Sequence, residues 1–105
     1  MDSPREISDE ADLESVVAEN DAVIVDFYAD WCGPCITMAT FLEEIAEDTD
    51  ATIATIDTEN QQRLTQEFDV STLPTLLFFR DGELVHRHAG LPGRPEFRDL
   101  VAEHT

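Results

Sequence analysis

The chain has 105 residues, 42% of them apolar, which is enough to bury a core in one domain (residues 1–105) without structural disulfides. Against 24 acidic residues it sets six arginines and no lysine, for a formal net charge of -18, a balance that disfavours nucleic acid and anionic membranes as partners. No apolar run approaches a membrane span and Met1-Asp2-Ser3-Pro4 does not open a signal peptide, so a cytoplasmic protein is expected.

The acids are spread along the chain instead of forming a tail. They describe either a well-solvated acidic surface or adaptation to a high-salt cytoplasm, where counter-ions screen self-repulsion. The missing lysines favour the second.

In chain order, Arg5 to Ile7 reads as a short first strand. Asp9 is placed to cap a helix running to Glu19, with Leu13, Val16 and Val17 as its apolar stripe. After the Asn20-Asp21 turn, Ala22 to Ala29 reads as a buried strand interrupted by one carboxylate, Asp26. Such a group is costly unless it has polar company, or unless the strand is an edge that turns it to water. Burial between Val25 and Phe27 predicts a raised pKa for it.

A second helix is expected from Pro34 to Thr49, with Cys35, Met38, Ala39, Leu42, Ile45 and Ala46 on one face and acids elsewhere. Thr52 to Asp57 reads as a strand, and Asn60 to Phe68 as a short helix anchored by Leu64 and Phe68. Thr75 to Arg80 and Glu83 to Ala89 form a hairpin about Asp81-Gly82. His86 and His88 share one face of the second hairpin strand and read as surface residues. Pro95 suits the first turn of a last helix that presents Phe97, Leu100 and Val101 inward. The expectation is an α/β fold in the order βαβαββα, a central mixed β-sheet flanked by helices on both faces.

The only two cysteines and the only tryptophan fall together in Trp31-Cys32-Gly33-Pro34-Cys35, at a strand-to-helix junction. Unpaired N–H groups and the positive end of the helix dipole favour a thiolate there. Cys32 is therefore the expected nucleophile. Cys35, one turn further on the same face, is placed to resolve a mixed disulfide. Pro34 has the φ that a helix entry needs, and Gly33 leaves the approach open. A buried structural pair, a zinc half-site and a static disulfide remain as other readings. The zinc reading lacks two of four ligands, and His86, His88 and His104 all come from the far end of the chain. A short-loop disulfide would add little stability. Redox cycling accounts for the motif best.

The segment Val25-Asp26-Phe27-Tyr28-Ala29-Asp30-Trp31-Cys32-Gly33-Pro34-Cys35 resembles the active-site segment of the thioredoxin family. The resemblance continues through Phe68-Asp69-Val70-Ser71-Thr72-Leu73-Pro74-Thr75-Leu76-Leu77-Phe78-Phe79 and ends with Asp81-Gly82-Glu83 and Gly90. It implies a thioredoxin fold and a general protein-disulfide reductase in which Cys32 attacks, Cys35 resolves and Asp26 shuttles a proton. It also implies a cis peptide before Pro74, beside the cysteines. The Leu73 backbone would then pair with a target segment by strand addition. Gly90 would leave room for that segment and Trp31 would wall it, with Gly33 and Pro34 completing the target-binding set. No cofactor or metal is implied. The implied partners are a thioredoxin reductase and disulfide-containing proteins, met by a monomer.

Three positions depart from the family pattern. Ile36 stands where lysine is frequent. Ile53 falls, on an alignment through Ile56-Asp57, where a lysine near the buried Asp is common. Thr40 replaces a helix-kinking proline. Two rival functions are an oxidase or isomerase on the same fold, disfavoured by Gly-Pro between the cysteines, and a redox-inactive interaction module, disfavoured by retention of both thiols.

Overall fold

A computed structural model describes residues 4–105. Strand β1 (Arg5–Glu6) leads to helix α1 (Glu10–Glu19), strand β2 (Ala22–Tyr28), helix α2 (Gly33–Asp48) and strand β3 (Thr52–Asp57). Helix α3 (Gln62–Glu67), strands β4 (Thr75–Arg80) and β5 (Glu83–Ala89) and helix α4 (Arg94–His104) complete it. The mixed sheet flanked by helices and all nine elements read from the sequence are present; their order is βαβαβαββα, so the order βαβαββα left out one strand-helix pair. Met1, Asp2 and Ser3, on which the signal-peptide expectation rests, lie outside the described residues.

The strands line up as β1-β3-β2-β4-β5. β1, β3 and β2 run parallel, with helices as crossovers, while β4 and β5 add antiparallel. β2 therefore sits at the centre. Alternation along it separates two cores. Val23, Val25 and Phe27 pack with Leu13, Val16 and Leu64 from α1 and α3. Ile24 packs with Met38, Leu42, Phe97 and Val101 from α2 and α4. Asp26 shares the face of Ile24, on a central strand, so the edge-strand reading is excluded.

Local chemistry sets the element ends. Asp9 caps α1 by accepting the Asp12 N–H at 2.8 Å. Asp57 accepts from Glu59 N–H at 2.9 Å and from the Asn60 amide at 3.2 Å. This turn uses up Asn60, so α3 starts at Gln62 and not at the expected Asn60. Asp81 and Gly82 both have positive φ, 51° and 86°, as a two-residue type I′ hairpin requires.

Two expectations about facing are corrected. Ala39 is exposed, while Phe41, outside the expected stripe, is buried. The cause is α4: Phe41 stacks on Phe97 at 6.3 Å between centroids, and the Arg94 guanidinium lies over its ring. His86 and His88 do share a face but are half-buried, not surface residues. The end of α4 folds over β5, so that His86 stacks on His104 at 4.3 Å beside Phe78. Thr40 leaves α2 unbroken from Gly33 to Asp48.

Candidate active site

β2 ends against its neighbours and the chain turns once before α2. The Cys32 N–H donates to the Ala29 carbonyl at 3.1 Å, which closes that turn. Cys32 is the N-cap of α2 and its Sγ accepts the Cys35 N–H at 3.2 Å. The sulfur thus takes the place that a serine or aspartate oxygen has in other helices. Pro34 follows in the first turn, where its missing N–H leaves no bond unmade. Cys32 and Cys35 are joined as a disulfide with Cα atoms 5.3 Å apart. This is the oxidised form of the pair.

Both cysteines are buried to the same extent, each 5% exposed, against Ala29, Tyr28 and Leu73. What distinguishes them is a surface groove of about 460 Å³. Cys32 lines it with Trp31, Gly33, Pro34 and Leu73, whereas Cys35 does not. Thr58, Thr65, Val70 and Ser71 complete the lining. A side chain at Gly33 would meet nothing within 4 Å, so the approach there is open.

Trp31 is 70% exposed, yet its indole N–H donates to Glu59 Oε2 at 2.8 Å. The Leu73–Pro74 peptide is cis. Pro74 is buried, and its carbonyl accepts the Gly90 N–H at 2.7 Å. Gly90 has φ 91°, so the backbone itself demands glycine there. Leu73 reaches the groove; Pro74 and Gly90 are absent from its lining. Among the described residues, no backbone group engages the N–H or C=O of Leu73.

Asp26 is 2% exposed and its Oδ1 has no hydrogen-bond partner. Burial raises its pKa to about 7, and the Glu6 carboxylate pushes the same way. The residue beside it on β3 is Thr55, not Ile53: the register pairs Asp26 with Thr55 and Ile53 with Ile24. Ile53 belongs to the apolar core under α2 and α4. Because Ile24 and Asp26 share a face, Ile53 lies on the same face as Asp26, diagonal to it, while Thr55 is its direct partner. Neither Ile53 nor Thr55 is a cation.

Of the residues named from the sequence, the structure brings Trp31, Cys32, Gly33, Pro34 and Leu73 to one groove, while the groove residues Thr58, Thr65, Val70 and Ser71 and the contacts of Glu59 and Glu6 were not expected. Their contacts are long-range, and no local pattern marks them. Ile36 is 68% exposed next to Cys35. Among the described residues, no group of three or more His, Cys, Asp or Glu gathers as a metal site requires. No helix among the described residues is long and apolar enough to cross a membrane.

The family model for Thioredoxin matches residues 5–103. A thioredoxin of Mycobacterium bovis is 40% identical over 101 residues, covering 90% of this chain and 87% of its own. A bifunctional thioredoxin reductase/thioredoxin of Mycobacterium leprae is 38% identical over 98 residues, 90% of this chain and 21% of that protein. The solved structure of a variant thioredoxin from Halobacterium salinarum superposes with a TM-score of 0.92 at 40% identity, covering 98% of this chain and 91% of the other.

Proposed function

Because the chain belongs to the thioredoxin family and is a thiol-disulfide oxidoreductase that reduces protein disulfides, we propose that Cys32 is its nucleophile, Cys35 its resolving thiol and Asp26 the base that serves Cys35. One observation carries the assignment of the thiols: Cys32 lines the groove that a target would occupy, and Cys35 does not. The Cys35 N–H aimed at Cys32 Sγ favours charge on that sulfur.

In the reduced protein the Cys32 thiolate attacks one sulfur of the target disulfide. A Cys32–target bond forms, and the other target sulfur leaves as a thiolate that takes a proton from water. The Cys35 thiol then gives its proton to Asp26. The Cys35 thiolate attacks Cys32 Sγ, closing the intramolecular disulfide and expelling the second target sulfur. The target gains two electrons and the dithiol loses them, so the pair is its own electron carrier and needs no bound cofactor.

Trp31, Gly33, Pro34, Leu73, Pro74 and Gly90 are the target-binding residues in this reading. Open space beside Gly33 and an unengaged Leu73 backbone support strand addition there. Pro74 and Gly90 act from behind by holding the Leu73 turn. A thioredoxin reductase is the partner that returns the electrons, which the paired naming of the Mycobacterium leprae relative supports. The protein works as a cytoplasmic monomer in a salt-rich cell and binds no nucleic acid. The charge of -18 and the Halobacterium salinarum relative support the salt-rich setting.

The test is trapping. Cys35→Ser should accumulate a mixed disulfide with a reporter such as insulin, and Cys32→Ser should accumulate none. Preferential labelling of Cys35 by iodoacetamide in the reduced protein would reverse the assignment.

A further inference from the structure

A second set of polar side chains meets on the sheet, and the exchange as described does not use it. Glu6 Oε1 accepts the Tyr28 hydroxyl at 2.8 Å and the Thr55 hydroxyl at 3.1 Å. These residues come from β1, β2 and β3. The register sets Glu6 opposite Thr55, and Thr55 opposite Asp26. Directly paired residues turn their side chains to the same face, so the row runs Glu6, Thr55, Asp26 on the face that α2 covers. With strands ~4.8 Å apart, the two acids stand roughly 10 Å from each other across packed sheet. A carboxylate on a two-residue edge strand would otherwise be free to swing into water. Two hydroxyls hold this one, and burial and the bond to Glu6 push the Tyr28 phenol up, so it stays a donor.

We propose that Glu6 is a positioning residue for the thiol exchange: its fixed charge makes Asp26 a stronger acceptor for the Cys35 proton. This rests on Asp26 being the base. The step is the resolving one. The Cys35 proton moves to the Asp26 carboxylate, the Cys35–Cys32 bond forms, the Cys32–target bond breaks, and the target sulfur leaves with the electron pair. A negative charge nearby disfavours the Asp26 anion and so strengthens it as a base. The direction found for Asp26 agrees, with burial first and Glu6 second.

The other groups around Asp26 do not substitute for Glu6. Asp57, two residues beyond Thr55 on the same face, is occupied by its own turn. Leu76 of β4, the partner on the other side, is uncharged, and His88 of β5 lies beyond it in the row. α2 buries Cys35, Met38, Phe41, Leu42 and Ile45, and none of these is a charged side chain. Thr55, the residue paired between Glu6 and Asp26, is neutral and carries no charge to cancel that of Glu6.

The experiment is a ¹³C NMR titration of the Asp26 carboxyl in the reduced protein at low salt, where an exposed carboxylate is least screened. Glu6→Gln keeps an oxygen for Tyr28 and Thr55 to donate to. It should lower the Asp26 midpoint by several tenths of a pH unit, and the pH profile of insulin reduction should shift with it. Glu47→Gln removes the same charge from the exposed side of α2 and should move the midpoint much less. Equal shifts in the two variants would overturn the proposal. Failure of the base itself shows elsewhere: Asp26→Asn turning over at the wild-type rate would remove Asp26, and Glu6 with it. A slow Asp26→Asn with an unmoved midpoint in Glu6→Gln would keep the base and reject Glu6 alone.

Discussion

Glu59 holds the indole N–H of Trp31 at 2.8 Å, tying the most exposed aromatic of the active-site turn to the loop between β3 and α3. The bond sets the angle at which one wall of the groove stands. Glu59→Ala should free the ring without touching either thiol. We expect a several-fold rise in KM for insulin with a smaller change in kcat, and faster depolarisation of Trp31 fluorescence. An unchanged KM would mean that the ring's orientation does not matter to targets.

Asp26 makes stability depend on pH in an unusual direction. Its carboxyl is raised from 3.8 to about 7 in the folded chain. Between those values the folded protein keeps a proton that the unfolded chain has released. The contribution to stability is therefore full below pH 3.8 and is lost as pH rises through about 7. At about 1.4 kcal/mol per unit, the neutral-pH penalty is on the order of 4 kcal/mol. Asp26→Asn should recover much of it at pH 8 and progressively less toward pH 4, while slowing turnover. Urea melts across that range check the slope, and an Asn variant less stable at pH 8 would contradict it.

His86 acts in the opposite sense. Burial lowers its imidazole pKa, and the neighbouring His104 and His88 add to the effect. The stability linked to the neutral ring is present above the unfolded value and lost as pH falls through the folded one. His86→Gln should blunt acid destabilisation below about pH 6. Parallel melts of His86→Gln and wild type would show this as a smaller loss between pH 7 and 5 in the variant.

Phe41 and Ala39 test the rotation of α2. Phe41 is buried against Phe97, so Phe41→Ala should cost about 3–5 kcal/mol, at the lower end if the site collapses. Ala39 is exposed, and Ala39→Ser should stay within about 0.5–1 kcal/mol. Urea midpoints with unchanged m-values are the readout.

The charge of -18 predicts a salt response. The Debye length shrinks from about 30 Å at 0.01 M salt to about 3 Å at 1 M. Repulsion among the dispersed acids falls accordingly. The thermal midpoint should climb steeply between dilute buffer and molar potassium chloride, and a flat midpoint would count against the high-salt reading.

The sequence by itself determined the elements and the thiol chemistry. Periodicity, caps and turn residues act over a few positions, so Asp9, Pro34, Asp81-Gly82 and the apolar run of β2 mark their elements locally. Cys32-Gly33-Pro34-Cys35 at a strand-to-helix junction carries its reactivity in the same way. The cis peptide at Pro74 came from the family resemblance, since nothing local distinguishes it from a trans one. Only the tertiary structure decided which β3 residue stands beside Asp26, because sheet register repeats every second residue and a shift of two preserves every apolar face. Ile53 and Thr55 are indistinguishable until the strands are paired. It also decided that Phe41, and not Ala39, turns inward, since the centre of a helix's apolar stripe depends on what packs against it. Glu59 reaches Trp31, and Glu6 reaches Tyr28 and Thr55, across folds of the chain that no short pattern records. Those contacts are long in sequence and short in space, and pairing the strands is what makes them.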